Sequence, residues 1–501
     1  MSVKSNLILA TANFICRKEI QEDSKAVEKQ TQIFKQLILK AKSTEFGKAH
    51  GFDKIKSIQD YQKQVPYRDY EGLKNYFDQV HWGKKDILWP GLPKYLAKTS
   101  GTTSGTKYIP LTKASIPNHI NSARNALFSY IFHKKSTTLF DGQMLFLSGS
   151  PQLAKENGIL VGRLSGIVNH EIPSWMTKNK LPTHELNLLE PWEYKIEKIV
   201  EDLVKRDLRV ISGIPPWIQM LLEKILDFTG KSSVADVFPN LDLYIHGGVN
   251  YSPYKAKIDQ LIGKEICYLE TYPASEGFIG YQDNPSVDAL RLIPNSGIFF
   301  EFVLAEEVNV PSAKRYIVSE VELDRDYAIL LTSNAGLWSY LIGDLVKFVS
   351  LNPYKIKVTG RVSQFISAFG EHVISSEIDH AISVAQKKYN FKLVEFAVAP
   401  QINPIDQTLA YHEWFIEFED IPSNLNAIEV CISNALAEKN SYYKDLLSGK
   451  MLDHLKIRCI RRNGFKEYLI STGKYGEQFK VPRVSNDRKV ADALTSYLHI
   501  K

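Results

Sequence analysis

Residues 241–277 read LDLYIHGGVNYSPYKAKIDQLIGKEICYLETYPASEG, and the order of chemistry within them decides the fold. An apolar run from Leu241 to Ile245 ends at Gly247-Gly248. A segment of helical spacing follows, with Pro253 near its start, where a missing N–H does no harm. A second apolar run, from Ile266 to Leu269, then ends in the polar turn Tyr272-Pro273-Ala274-Ser275-Glu276-Gly277. The same plan stands upstream. QMLFLSG at 143–149 reads as a buried strand, and LRVISGIPPWIQMLLEKILDF at 208–228 as a strand, a turn carrying Gly213, Pro215 and Pro216, and a helix from about Trp217. Strands alternating with helices imply parallel strands joined by right-handed crossovers, hence an open α/β sheet.

Outward from this core the pattern changes twice. Between about 297 and 359 the helices stop, and GIFFEFVLAEE, RYIVSEVEL, YAILLTS, LWSYLIGDLVKFVS and YKIKVTGR read as short strands of an antiparallel β subdomain. After Gly360-Arg361 helices return in the order helix, two strands, helix, strand, a small α+β domain. The expected division is a large domain over 1–360 and a C-terminal lid over 361–501. Upstream, KAVEKQTQIFKQLILKAK at 25–42 carries apolar residues at helical spacing with lysines opposite, an amphipathic surface helix.

With 501 residues the chain is long enough for two domains. Its net charge of +6, from 62 basic and 56 acidic residues, suits an anionic ligand in a local site rather than a nucleic-acid surface. The four cysteines are far apart and match no paired metal spacing, so they read as reduced thiols. No apolar run approaches the ~20 residues of a membrane helix. The N-terminal MSVKSNLILATANFIC offers a short apolar stretch and an Ala10-x-Ala12 pair, yet too short a core for a secretory signal; a cytoplasmic protein, a monomer or weak homodimer, is expected.

In an open α/β sheet, ligands settle at the carboxyl ends of the strands. His246-Gly247-Gly248-Val249 and Tyr272 to Gly277 are two such ends, belong to one sheet and are expected to face one cleft. A third candidate is KTSGTTSGTKYIPLT, beginning at Lys98, in which all eight residues from Thr99 to Thr106 are Ser, Thr or Gly. Glycine-freed N–H groups and hydroxyls make a nest for phosphate oxygens, with Lys98 or Lys107 adding charge. The spacing fails the G-x-x-x-x-G-K-[ST] loop. The same composition describes a flexible linker, but YIPLT immediately after argues for a loop anchored inside a domain. Glu276 offers a carboxylate for Mg²⁺, or is a surface glutamate after a strand. Asp344 is expected in a Gly-Asp turn between two β segments, where it either accepts from two ribose hydroxyls or merely forms a hairpin. Lys480 lies in a loop and by composition alone reads as solvated.

Taken together, TSGTTSGTKYIP, YPASEG, YLIGD, VTGR and QFKVPR, in this order and spacing, resemble the acyl-adenylate-forming superfamily of luciferases and acyl-CoA ligases. Within it the chain is most similar to the auxin-responsive family of acyl-acid amido synthetases, and KQVPYRDYEGLKNYFDQVHWGKKDILWPGLPKYLAKTSGT extends the likeness upstream. The resemblance implies ATP and Mg²⁺ as cofactors and small-molecule acid and amino acid substrates. It implies that Thr99, Ser100, Gly101, Thr102, Thr103, Ser104 and Gly105 form the phosphate loop, with Lys107 beside it. Gly247 and Gly248 lie near adenine and Tyr272 packs on it. Ser275 meets the α-phosphate, Glu276 the Mg²⁺, Asp344 the ribose and Arg361 the ribose side at the hinge. Lys480 reaches the α-phosphate and the acyl carboxylate as the catalytic lysine. Two departures stand out: Leu341 where many members have Arg, and Ser363 where the hinge often has an acid. The implied reaction is adenylation of an acid followed by amide formation with an amino acid; thioester formation with coenzyme A and a non-catalytic nucleotide-binding regulator are the alternatives.

Overall fold

In a computed structural model, all residues are described except 1–2, 101–105, 173–176, 191, 249–250, 311, 363–364, 367–370, 372, 402–403, 405–408, 449–451, 474–480, 486–487 and 500–501. The chain divides into two compact units, Met1–Tyr254 with Ile258–Val358, and Thr359–Lys501 with Lys255–Lys257.

The first unit is built on a twelve-stranded sheet. Gln143–Phe146, Leu208–Ser212, Leu243–Gly247 and Cys267–Ala274 are parallel neighbours, as the alternating pattern requires. Side chains of a strand point alternately to its two faces, and here each face meets helices. Leu145, Ile211 and Tyr244 enter one core, packed under Trp192–Leu203, Pro215–Thr229 and Ser252–Ile262. Their neighbours Met144, Val210 and Leu243 enter another with Ala12, Cys16 and Ile131 of Val3–Asp23 and Ile116–Lys134. The first of these last two helices is pinned by charge. Arg291, with a side chain only 3% exposed, donates to Asp23 Oδ2 at 2.8 Å and lies 3.3 Å from Glu19 Oε1.

The antiparallel strands expected between 297 and 359 are present, but they continue the same sheet rather than forming a separate one. Gly277–Tyr281, Leu290–Leu292 and Tyr354–Arg361 carry the hydrogen bonding from the parallel half to Leu337–Leu351, Asp326–Ser333 and Ile298–Leu304. The strand expected at 315–323 shrinks to Tyr316–Ile317. A four-stranded sheet that the sequence pattern did not announce pairs Tyr95–Ser100 with Thr106–Leu111 and Ile159–Gly162.

The amphipathic helix forms at Ala26–Ala41 and buries Ile33, Phe34, Leu37 and Ile38. Its face also hides a polar residue. Gln30, 2% exposed, accepts from the Phe300 N–H at 2.8 Å and donates to Ile298 O at 2.8 Å and Pro294 O at 3.0 Å. The amide thus substitutes for a missing strand neighbour at the edge of Ile298–Leu304.

In the second unit Tyr411–Phe418, buried at every position, runs between antiparallel Leu393–Gln401 and parallel Lys456–Ile460, under helices Ser375–Tyr389 and Leu425–Lys439. The order is the one expected from the sequence. His412 and Glu371, both without exposed side-chain surface, lie 2.9 Å apart.

Removing a buried hydrogen-bond partner costs ~1–3 kcal/mol because the orphaned group stays dry. Gln30→Ala is therefore expected to lower stability by ~2–3 kcal/mol, read as a shift in denaturant midpoint at unchanged slope. A wild-type midpoint would show that the Phe300 N–H has another partner.

Candidate functional site

Gly247 stands opposite Thr271 in the parallel register, and His246 opposite Glu270. The first strand ends here and the second runs on to Ala274, so Gly247-Gly248 lies beside the start of the Tyr272–Glu276 segment at the carboxyl edge. A β-carbon at Gly247 would fall 2.2 Å from the Thr271 carbonyl oxygen, so close strand approach alone demands glycine there. Gly248 is different. It is exposed and has φ 76°, in the left-handed region, where it turns the chain off the edge.

The polar turn is a hairpin. Ala274 pairs with Gly277, which leaves Ser275 and Glu276, both half-buried, at the tip. Just beyond, the register slips between Phe278 and Gly280. Asn118, 6% exposed on Ile116–Lys134, clamps the slip: it accepts from Phe278 N–H at 2.7 Å and donates to Phe278 O at 3.0 Å. Nothing in the sequence marked Asn118, because its role exists only across 160 residues of chain.

Tyr272 is buried, and its hydroxyl donates to Asp344 Oδ2 at 2.5 Å. Two candidates found separately in the sequence thus meet. The expected Gly-Asp turn is corrected, however: Asp344 lies within the continuous strand Leu337–Leu351. Register passes from Leu330↔Leu341 to Ala328↔Leu345, two steps against four, so the strand bulges instead of turning. Gly343, at φ 88°, absorbs the extra backbone.

Glu276 Oε1 lies 3.4 Å from the Tyr340 hydroxyl. The Tyr340 ring meets Phe77 edge-on at 6.1 Å, and Phe77 stacks on Tyr70 at 4.8 Å. Tyr70 in turn accepts the Tyr108 N–H at 3.1 Å, and the Lys107 ammonium lies 5.5 Å from its ring centre. This aromatic column joins the hairpin of Tyr95–Ser100 and Thr106–Leu111 to Glu276. The hairpin's last pairs are Thr99 with Lys107 and Ser100 with Thr106. Gly101, Thr102, Thr103, Ser104 and Gly105 lie outside the described residues, but they connect paired strands of one sheet and not two domains. Lys98 donates to Glu156 at 3.1 Å, and the same carboxylate meets His81 at 2.7 Å. Arg361 is exposed at the end of Tyr354–Arg361, in the second unit. Lys480 lies outside the described residues.

Burial tunes two further groups at this edge. The Glu270 carboxyl is pushed up to about 7 by desolvation, with the Asp288 charge adding and Lys357 opposing. His246, 6% exposed and stacked on Tyr251 at 4.3 Å, is lowered to about 4 by desolvation. His119 on Ile116–Lys134 is lowered to about 4 for the same reason.

The fold of a long mixed sheet followed by a small α+β unit recurs in solved structures of ligases. A 2-hydroxyisobutyryl-CoA ligase superposes with a TM-score of 0.56 at 14% identity, covering 96% of this chain and 90% of that one. An acyl acid amido synthetase, AtGH3.15 in complex with 2,4-DB, superposes with a TM-score of 0.79 at 17% identity, covering 97% and 96%. Residues 16–180 match the GH3 family N-terminal domain, 291–361 its central domain and 376–489 its C-terminal domain. The chain belongs to the GH3 family. It is 20% identical over 552 aligned positions to jasmonoyl–L-amino acid synthetase JAR6 of Nicotiana attenuata, with 93% of this chain and 92% of the relative covered. It is 23% identical over 322 positions to indole-3-acetic acid-amido synthetase GH3.3 of Arabidopsis thaliana, with 60% and 53% covered.

The buried histidines set a pH dependence. Between the ordinary 6.5 and the folded value of about 4, the unfolded chain holds protons that His119 and His246 refuse. The contribution of these histidines to stability therefore falls as pH drops through that window, by up to ~3 kcal/mol each at its acid end, while the raised Glu270 carboxyl acts in the opposite direction. His119→Gln is expected to flatten the slope of denaturant midpoint against pH. An unchanged slope would show that other groups govern it.

Proposed function

We propose that the chain is an ATP-dependent acyl-acid amido synthetase, which activates a small carboxylic acid as its adenylate and transfers the acyl group to the amine of an amino acid. The observation that carries this reading is the contact between Tyr272 and Asp344, beside Gly248 and a few residues from Glu276. An aromatic ring and a carboxylate at one strand edge suit adenine and the paired ribose hydroxyls. JAR6 and GH3.3 are both acid–amino acid synthetases, which supports the choice of acceptor.

The donor set fits Mg²⁺, which takes one or two carboxylates and completes its shell with water and phosphate oxygens. Glu276 supplies one such carboxylate from a hairpin tip. Among the described residues no group of three or more His, Cys, Asp or Glu gathers to hold a metal. When bound at Glu276, Mg²⁺ would offset phosphate charge and ease the departure of pyrophosphate.

In the first step a substrate carboxylate oxygen attacks the α-phosphorus while the bond to the β-phosphate oxygen breaks, giving acyl-AMP and pyrophosphate. In the second the amine nitrogen attacks the acyl carbon, the bond to AMP breaks and the nitrogen loses a proton. The assigned roles follow the charge. Donors from Thr99 to Gly105, with Lys107, hold the phosphates; Ser275 meets the α-phosphate; Asp344 and Arg361 hold the ribose. Lys480, carried by residues 361–501, stabilises charge that builds on the α-phosphate during attack, where a preorganised cation is worth most.

Acid-dependent exchange of pyrophosphate into ATP, screened across aromatic, fatty and hormone-like acids, tests the first step. Product masses with amino acids against coenzyme A then separate amide from thioester formation. Lys480→Ala is expected to lose exchange by at least ~100-fold, with ATP binding retained. Near-normal exchange in that variant would refute the assignment of Lys480, and an adduct with coenzyme A alone would refute the amide.

A further inference from the structure

The strand Leu337–Leu351 carries a second irregularity upstream of Gly343. Register with Asp326–Ser333 slips between Leu331↔Tyr340 and Ser333↔Leu337, and Ser339 takes the extra backbone at φ 45°. For a residue with a β-carbon that conformation costs ~1–2 kcal/mol. Ser339 has no exposed surface, and every polar group it owns is engaged. Its N–H donates to Thr332 Oγ1 at 2.9 Å, and its carbonyl accepts the Arg68 N–H at 3.2 Å. Its hydroxyl donates to Glu301 Oε2 at 2.9 Å and accepts from Arg315 Nη1 at 2.6 Å. Glu301, also without exposed surface, lies 3.6 Å from Arg315 and accepts from Gln62 at 3.0 Å. A buried network satisfied this completely is rigid, and a partly satisfied one would be costly.

The strained residue sets the direction of the next one, since a bulge re-aims the side chain beside it. Arg68 locks Tyr340 from both sides: its N–H reaches Ser339 O, and its carbonyl takes the Leu341 N–H at 2.9 Å. The Tyr340 ring, 1% exposed, rests against Phe77, and its hydroxyl is 3.4 Å from Glu276 Oε1. The contact is loose, as such contacts are before a ligand tightens them.

We propose that Ser339 is a positioning residue for Glu276: its bonds to Glu301 and Arg315 fix the strand so that the Tyr340 hydroxyl orients the Glu276 carboxylate toward the nucleotide's metal. This inference rests on the reading of Glu276 as that carboxylate. It goes further by placing the control of metal affinity in a network that touches no ligand.

The test measures, in full-length protein, the Mg²⁺ concentration that half-saturates calorimetric binding in the presence of ATP and, beside it, the Mg²⁺ concentration that half-activates pyrophosphate exchange. Tyr340→Phe removes the hydroxyl and keeps the ring. Ser339→Gly removes the Ser hydroxyl while tolerating the left-handed backbone. Each is expected to raise both Mg²⁺ concentrations about tenfold, as loss of a hydrogen bond to a charged group would, with the rate at saturating Mg²⁺ within about threefold. The double variant should be no worse than the worse single one, because both act on one carboxylate. A Ser339→Gly protein with wild-type Mg²⁺ dependence, an unshifted Tyr340→Phe, or effects that multiply in the double variant would overturn the proposal. Should Ser339→Gly fail to fold, Glu301→Gln, which keeps the volume and one acceptor oxygen, carries the same expectation. A wild-type protein with no Mg²⁺-dependent exchange overturns the function and this inference together. A Mg²⁺-dependent wild type with unshifted variants overturns the inference alone.

Discussion

Two backbones pass at Gly247 and Thr271 with room for a hydrogen atom and nothing larger, since a β-carbon would lie 2.2 Å from the Thr271 oxygen. The geometry of the carboxyl edge depends on that approach. Any side chain at 247 would lever Cys267–Ala274 away from its parallel neighbour. Tyr272, the next residue after Thr271, would move with it and lose its 2.5 Å bond to Asp344. The hairpin tip at Ser275-Glu276 would shift as well, against the clamp that Asn118 applies at Phe278. Glycine is thus set here by packing between strands, while Gly248, exposed and at positive φ, is set by the turn.

Much of the fold was legible because it follows local rules. Buried parallel strands read as short apolar runs, crossover helices as 3.6-residue periodicity, and the turns between them as glycine and proline. The helix at Ala26–Ala41 and the helix–strand order of the C-terminal unit came from the same signals. What was illegible is non-local. That the antiparallel strands join the parallel ones in one sheet depends on Leu290–Leu292, three residues with no pattern of their own. The hairpin at Tyr95–Leu111 was hidden because its tip is polar and its arms are mixed in character. The expected turn at Gly343-Asp344 failed because a glycine–acid pair marks a bulge as readily as a reversal, and only the partner strand decides.

The site divides along the same line. Tyr272, Glu276, Asp344 and the two glycines stood out by composition, and four of those five sit on strands or turns the sequence could place. The groups that orient them did not stand out. Asn118 is one polar residue on a helix, Ser339 one serine in a strand, and Tyr340 one tyrosine among 25. Each matters through a partner far along the chain, and residue type carries no trace of that. The one available clue was Tyr340 itself, four positions before Asp344 on a strand already suspected of facing the ligand.

The charge cluster that pins the first helix has a consequence for cleavage. Ser24 and Lys25 separate Val3–Asp23 from Ala26–Ala41, and both are exposed. A protease cutting there would sever the chain without freeing the peptide. Departure would leave the Arg291 guanidinium dry and uncompensated, a loss of about 3–5 kcal/mol, besides uncovering the apolar seats of Ala12 and Cys16. The nicked molecule would persist as a two-piece complex, and the short piece, supplied separately, would act as a specific ligand for the remainder.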